Sequence, residues 1–157
     1  MTKLCRYLVI LLLGTLAFAA NSARLPNHNL TPGVSRTTSA KEVCSLKSTK
    51  DVRHVSEAQK NAVYAAYGIT NHAGYCSGPE GCEVDHLISL ELGGANDSAN
   101  LWPQPYGEHP GAHEKDVLEN WLHKQVCTGK MSLRDAQQRI SSDWYAEYQK
   151  MPKKKSR

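Results

Sequence analysis

The sequence predicts a small α+β fold with little sheet, stapled by disulfides. Three observations carry this. Apolar positions recur at helical spacing in three separate stretches. A short apolar pair brackets a glycine turn between the first and second of them. Four cysteines remain once a short N-terminal apolar segment is set aside. A chain of 157 residues suits one domain, and 40% hydrophobic residues can support a core. Charged residues at 22% exclude wholesale disorder.

The elements follow in order. Lys3 and Arg6 precede an apolar run from Tyr7 to Leu13, resumed at Leu16 to Ala20. Ala17-Phe18-Ala19 has the small-x-small pattern of a signal-peptidase site. Residues 1–19 therefore read as a signal peptide, with Ala20 and Ala23 as alternative cleavage points and an uncleaved anchor as the rival reading. The run is short beside the roughly 20 apolar residues a membrane span needs. The expectation is an exported, periplasmic or secreted protein with no membrane contact after cleavage. Residues 20–41, rich in Asn, Ser, Thr and Pro, read as an extended lead-in. Residues 42–149 form one domain, and 150–157 a basic tail.

Ser56 with Gln59 makes a capping box that opens a helix over Ala58, Ala62, Val63, Ala66 and Tyr67, stopped at Gly68. Residues 69–82 read as an irregular loop. Glu83 to Leu90 favours a strand, and Gly93-Gly94 with Asn96-Asp97 is turn chemistry. Leu101-Trp102 is the return strand, stopped by Pro103 and Pro105. A second helix starts near Pro110, buries Val117, Leu118, Trp121, Leu122 and Val126, and ends at Gly129. A third follows the Ser132 cap, with Leu133, Ala136, Ile140, Trp144 and Tyr148 on one face.

Export makes disulfides available. Cys76 and Cys82 flank a turn able to close, which leaves Cys44 for Cys127. A zinc knuckle is the rival reading, but the close paired cysteines of such sites are missing.

Charge excludes one class of partner. Five basic residues (Lys150, Lys153, Lys154, Lys155, Arg157) end the chain and two (Lys3, Arg6) begin it. Setting these aside from the 19 Lys and Arg leaves 12 against 15 acidic residues. The body is not a globally cationic nucleic-acid binder, so any phosphate binding needs a local site, a metal or the tail.

The chemistry concentrates between Cys82 and Asp116. Asp85 is a hard oxygen ligand and the adjacent His86 a candidate general base. Neighbours on a strand point to opposite faces, so both serve one site only where the strand is distorted or ends. Asn100 returns after the glycine turn, where its amide can orient the imidazole or the loop. His109 and His113 stand four apart at a helix start, a spacing that suits joint ligation if both are helical. The bland readings are a turn-capping Asp85, surface or loop positions for His28, His54, His72 and His123, and core roles for Trp102, Trp121 and Trp144.

The run from Asp85 to Leu101, D-H-L-I-x-L-x-x-G-G-x-N-D-x-x-N-L, resembles the HNH endonuclease family. The wider frame resembles small exported bacterial HNH proteins: V-R-H-V at 52–55, L-W-P-Q, K-D-x-L-E-N and the last D-W. The resemblance implies a ββα-metal hairpin-helix core packed with additional helices. It implies a metal-dependent endonuclease acting on nucleic acid, DNA rather than RNA, with low sequence specificity. His86 would be the general base and Asn100 would position it. Asp85 and His113, with His109, would hold one divalent ion: Mg2+ first, with Mn2+, Ni2+ or Zn2+ as alternatives. Arg53 and Lys115 are candidates for holding phosphate. The chain departs from the family in lacking zinc knuckles and in placing Pro110-Gly111 between the two histidines. A monomer is expected, and an inhibitor protein cannot be inferred. The alternative function is an exported, non-enzymatic metal- or nucleic-acid-binding protein on an inactive HNH scaffold.

Overall fold

The computed structural model describes residues 25–69 and 81–152. The expected signal segment, His72, Cys76 and tail residues 153–157 lie outside the described residues. The fold is a mixed one: helices around a two-stranded antiparallel sheet. In chain order the elements are α1 (Ala40–Ser45), α2 (Glu57–Ala66), β1 (Cys82–His86), β2 (Leu101–Pro105), α3 (Ala112–Cys127) and α4 (Leu133–Gln149).

Helix starts follow the capping rules. Ser39, Ser56 and Ser132 each accept a backbone N–H three residues on, from Glu42, Gln59 and Asp135. α3 begins at Ala112, two residues later than Pro110 suggested. There the Glu114 carboxylate reaches back to the Gly111 amide at 2.7 Å. α4 is broken at Asp143 (φ −163°, ψ 86°), whose carboxylate accepts from the Ala146 amide and restarts the helix.

The hairpin is shorter on one side and longer on the other than the pattern implied. β1 ends at His86, not Leu90, because Leu90–Leu92 winds into a 3-10 turn. β2 runs through both prolines to Pro105, with Val84 opposite Pro103 and Cys82 opposite Pro105. Proline lacks only a donor, and in a two-stranded sheet one side of each strand has no ladder to feed.

The core lies between α3, α4 and the hairpin loop. Leu118 and Leu122 of α3, Ile140 and Trp144 of α4, and Leu87, Leu92 and Trp102 of the loop and β2 are fully buried. Side chains of this size contribute about 1.5–3 kcal/mol each on burial. The lead-in after residue 25 is not a detached extension. Thr31 is buried and donates to the Leu101 carbonyl, and Ser35 bridges Gly94. Cys44 at the end of α1 is bonded to Cys127 at the end of α3, 83 residues apart. In the chain-entropy picture, a loop of that length gives about 4–5 kcal/mol against the open chain.

Gly94 sits where the loop closes on itself. A Cβ there would lie 1.8 Å from the Ile88 carbonyl oxygen and 2.9 Å from Asn100 Nδ2. Gly94→Ala is expected to cost about 3 kcal/mol or more, since backbone must move to admit a methyl group. Denaturant unfolding of the variant beside the parent measures it.

Candidate functional site

Asp85 and His86 reach one cleft because β1 stops at His86. The cleft, of about 240 Å³, is lined by Thr49, Arg53, Asp85, His86, Ser89, Leu90, Glu91, Asp116, Glu119 and Asn120. The turn after β1 and the first half of α3 both contribute to its walls.

His86 is 1% exposed, and its ring is held by hydrogen bonding. Nε2 lies 3.0 Å from Asn96 Oδ1. That oxygen also takes the His54 backbone N–H, while Asn96 Nδ2 donates to the Val52 carbonyl. The Asn96 amide is thus oriented by two backbone groups, and its oxygen can only accept. His86 must therefore carry its proton on Nε2 when neutral, leaving the Nδ1 lone pair free. Nδ1 is buried and has no protein partner, and neither has the hydroxyl of Ser89, also on the cleft wall. Burial pushes the imidazole pKa below its ordinary value of 6.5, against the opposing pull of the Asn96 bond and the Asp85 charge. A neutral imidazole with one unpaired ring nitrogen, on a residue that lines a cleft, has the form of a general base.

Asn100 does something else. Its Oδ1 accepts from the Ile88 amide at 2.9 Å, and its Nδ2 donates to the carbonyls of Ile88 and Ala95. It closes the loop between β1 and β2 and makes no bond to His86. Of the two options its amide offered, the loop is the one realised; the imidazole is positioned by Asn96. Asn96 carried a signal, as the first residue of an Asn-Asp turn, but nothing in the pattern aimed it at His86.

Lys115 also departs from expectation. Its ammonium is buried, too deep to hold a substrate phosphate. It donates to Asp85 Oδ2 at 2.7 Å, to the His86 carbonyl at 2.8 Å, and to Glu119 one turn along α3. Gln104 adds to Asp85: in the amide orientation its neighbours require, its nitrogen donates to Oδ2 at 3.0 Å and its oxygen accepts from Ala112 N. Burial alone would raise the Asp85 carboxyl. The Lys115 ammonium outweighs it and holds the group below the ordinary carboxylate range. Arg53 is exposed at the cleft rim and remains available for phosphate.

The remaining acids are crowded. Burial, with the neighbouring carboxylates, raises Glu91 and Asp116, and pushes Glu119 up to about 8. Desolvated like charges of this kind are stabilised by a cation. His113 is exposed in the first turn of α3, three residues before Asp116, and its charge favours the Asp116 carboxylate. His109 is 72% exposed in the loop before α3, its Nδ1 3.9 Å from Glu114, and it does not line the cleft. Asp85 and Asp116 put carboxylate groups on the cleft, whereas His113, in the first turn of α3, does not line it. Joint ligation by His109 and His113 finds no support, since His109 lies in the loop before α3 and neither histidine lines the cleft. Asp116, Ser89 and Asn96 are the site residues the sequence reading missed.

Among the described residues one group of three or more His, Cys, Asp or Glu side chains is close enough to hold a metal ion: Cys44, His123 and Cys127, whose ligand atoms lie within 4.8 Å of one another. No helix among the described residues is long and apolar enough to cross a membrane. Compared with known protein families, curated proteins and solved structures, the chain finds no match.

Proposed function

We propose that the protein is a metal-dependent endonuclease that hydrolyses phosphodiester bonds, with His86 Nδ1 as the general base. The observation that carries this is the His86–Asn96 pair: it fixes the tautomer and leaves Nδ1 unprotonated and without a protein partner, on a residue that lines one cleft with Asp85 and Asp116. His86 Nδ1 would take the proton of the attacking water. Asp85 and Asp116, with His113, would hold the divalent ion, Mg2+ being the first choice for oxygen ligands. When bound, such an ion supplies Lewis-acid stabilisation of phosphate charge. Arg53 would contact a phosphate oxygen at the rim. The hairpin β1–β2 followed directly by α3 supports the HNH resemblance, and DNA is favoured over RNA by that resemblance alone. Export and a cleaved leader fit the Cys44–Cys127 disulfide.

The test is plasmid digestion by the purified protein with Mg2+, Mn2+, Ni2+ or Zn2+, beside a His86→Ala control. Metal-dependent nicking lost in the variant supports the reading, and nicking retained by the variant refutes the assigned base. The pH profile is a further check. Burial lowers the His86 pKa, so the acidic limb of the rate profile should have its midpoint below 6.5, the rate being lost as the imidazole protonates. A midpoint above 6.5 would point to another group.

One observation favours the non-enzymatic alternative. The Lys115 ammonium already neutralises Asp85, as a counter-ion in a retired site would. Stoichiometric divalent-ion binding with no hydrolysis of DNA or RNA would decide for it.

A further inference from the structure

The Cys44–Cys127 crosslink lies beside an imidazole that the nuclease reading does not use. His123 and Cys127 are one turn apart on α3 and share a face, and Cys44 is brought to them by the end of α1. His123 Nε2 lies 3.4 Å from Cys127 Sγ and 3.3 Å from the Val43 carbonyl. Both cysteines are exposed and His123 is partly buried. We propose that these three residues are one site with two exclusive chemical states: a disulfide when oxidised, and a thiolate–imidazole centre for a borderline-soft divalent ion, Zn2+ above all, when reduced.

The geometry requires little movement. Tetrahedral zinc with Zn–S of about 2.3 Å and Zn–N of about 2.0 Å sets its ligand atoms roughly 3.5–3.8 Å apart. The His123–Cys127 separation is already 3.4 Å. Once the sulfur–sulfur bond is broken, the two sulfurs must part to about that distance, which rotation of exposed cysteine side chains allows. His123 would give up its bond to the Val43 carbonyl and carry its proton on Nδ1 instead. Two thiolates and one imidazole select zinc or cobalt over magnesium, so this centre and the oxygen-rich cleft take different ions.

The chemistry balances with a dithiol as reductant. Attack by its thiolate on the exposed disulfide, then ring closure of the dithiol, delivers two electrons and two protons and leaves two protein thiols. The incoming ion displaces the two thiol protons. Functionally, the ion would keep the α1–α3 tie in a reducing compartment; exchange with a disulfide oxidant, which takes the two electrons as its own sulfurs are reduced, would then release the ion and replace it with a covalent bond.

The test uses the purified protein, reduced by a dithiol under anaerobic conditions and desalted. Cobalt is the probe, read by thiolate-to-cobalt charge-transfer absorption, with zinc uptake measured in parallel. The expected result is one ion per reduced chain, none at this site in the oxidised chain, and loss of the band in the Cys44→Ser/Cys127→Ser variant. His123→Ala should weaken the affinity while keeping the sulfur band. Zinc should also raise the melting temperature of the reduced parent and leave that of the double serine variant unchanged. No uptake by the reduced chain, or a band that persists in the double variant and so arises from Cys76 and Cys82, overturns the proposal. None of these readouts depends on nuclease activity.

Discussion

His86→Ala is expected to lower metal-dependent plasmid cleavage by about 10²–10⁴-fold, the usual contribution of a positioned general base. The comparison that gives this meaning is Asn96→Ala. Asn96 Oδ1 is what holds the proton on His86 Nε2 and leaves Nδ1 unprotonated. Without it the ring can take the other tautomer, so cleavage should fall while metal affinity at the carboxylates is retained. Asn100→Ala should behave differently, losing stability first, because its amide satisfies three backbone groups of the loop. Initial nicking rates and urea unfolding, measured on all three variants, separate the roles. Equal cleavage losses for Asn96→Ala and Asn100→Ala, scaling with lost stability, would count against a positioning role for Asn96.

Lys115→Met should destabilise the fold by about 3–5 kcal/mol near neutral pH, the range found when one partner of a buried ion pair is removed. Methionine fills similar space, so the loss is electrostatic. Asp85 and Glu119 would be left in the interior with no cation between them. The melting temperature should fall on the order of 10 °C. The sign of the pH dependence is a second check. Without the ammonium, both carboxyls have folded pKa values raised above the unfolded ones, so they disfavour the fold as pH rises and cost less once protonated. The deficit should therefore be smaller at pH 5 than at pH 8. An unchanged melting temperature would show that the ammonium is not what holds β1 against α3.

Much of the fold could be read directly from residue patterns. The serine caps at 56 and 132, the apolar stripe of α4, Leu118, Leu122 and Val126 of α3, and the glycine turn between β1 and β2 all act locally, over a few residues; Val117, expected on the buried face of α3, is 53% exposed instead. The Cys44–Cys127 pair is what remains once the short turn between Cys76 and Cys82 is read as closing on itself. The errors have equally local causes. β2 continues through Pro103 and Pro105 because a two-stranded sheet leaves one side of each strand unladdered. β1 stops early because Leu90–Leu92 winds back to place Leu90 and Leu92 in the core.

The sequence by itself determined which chemical groups this protein has near its hairpin: an aspartate beside a histidine, an asparagine-rich turn and a helix bearing acids and a lysine. Types and spacings are covalent facts. Only the tertiary structure decided which asparagine holds His86, that Lys115 is locked to Asp85 rather than offered to a phosphate, and that Asp116 rather than His109 shares the cleft. Those choices depend on burial and on distances between segments remote in the chain. Hydrogen bonds and charges there are worth far more than at the surface, and no local pattern encodes them.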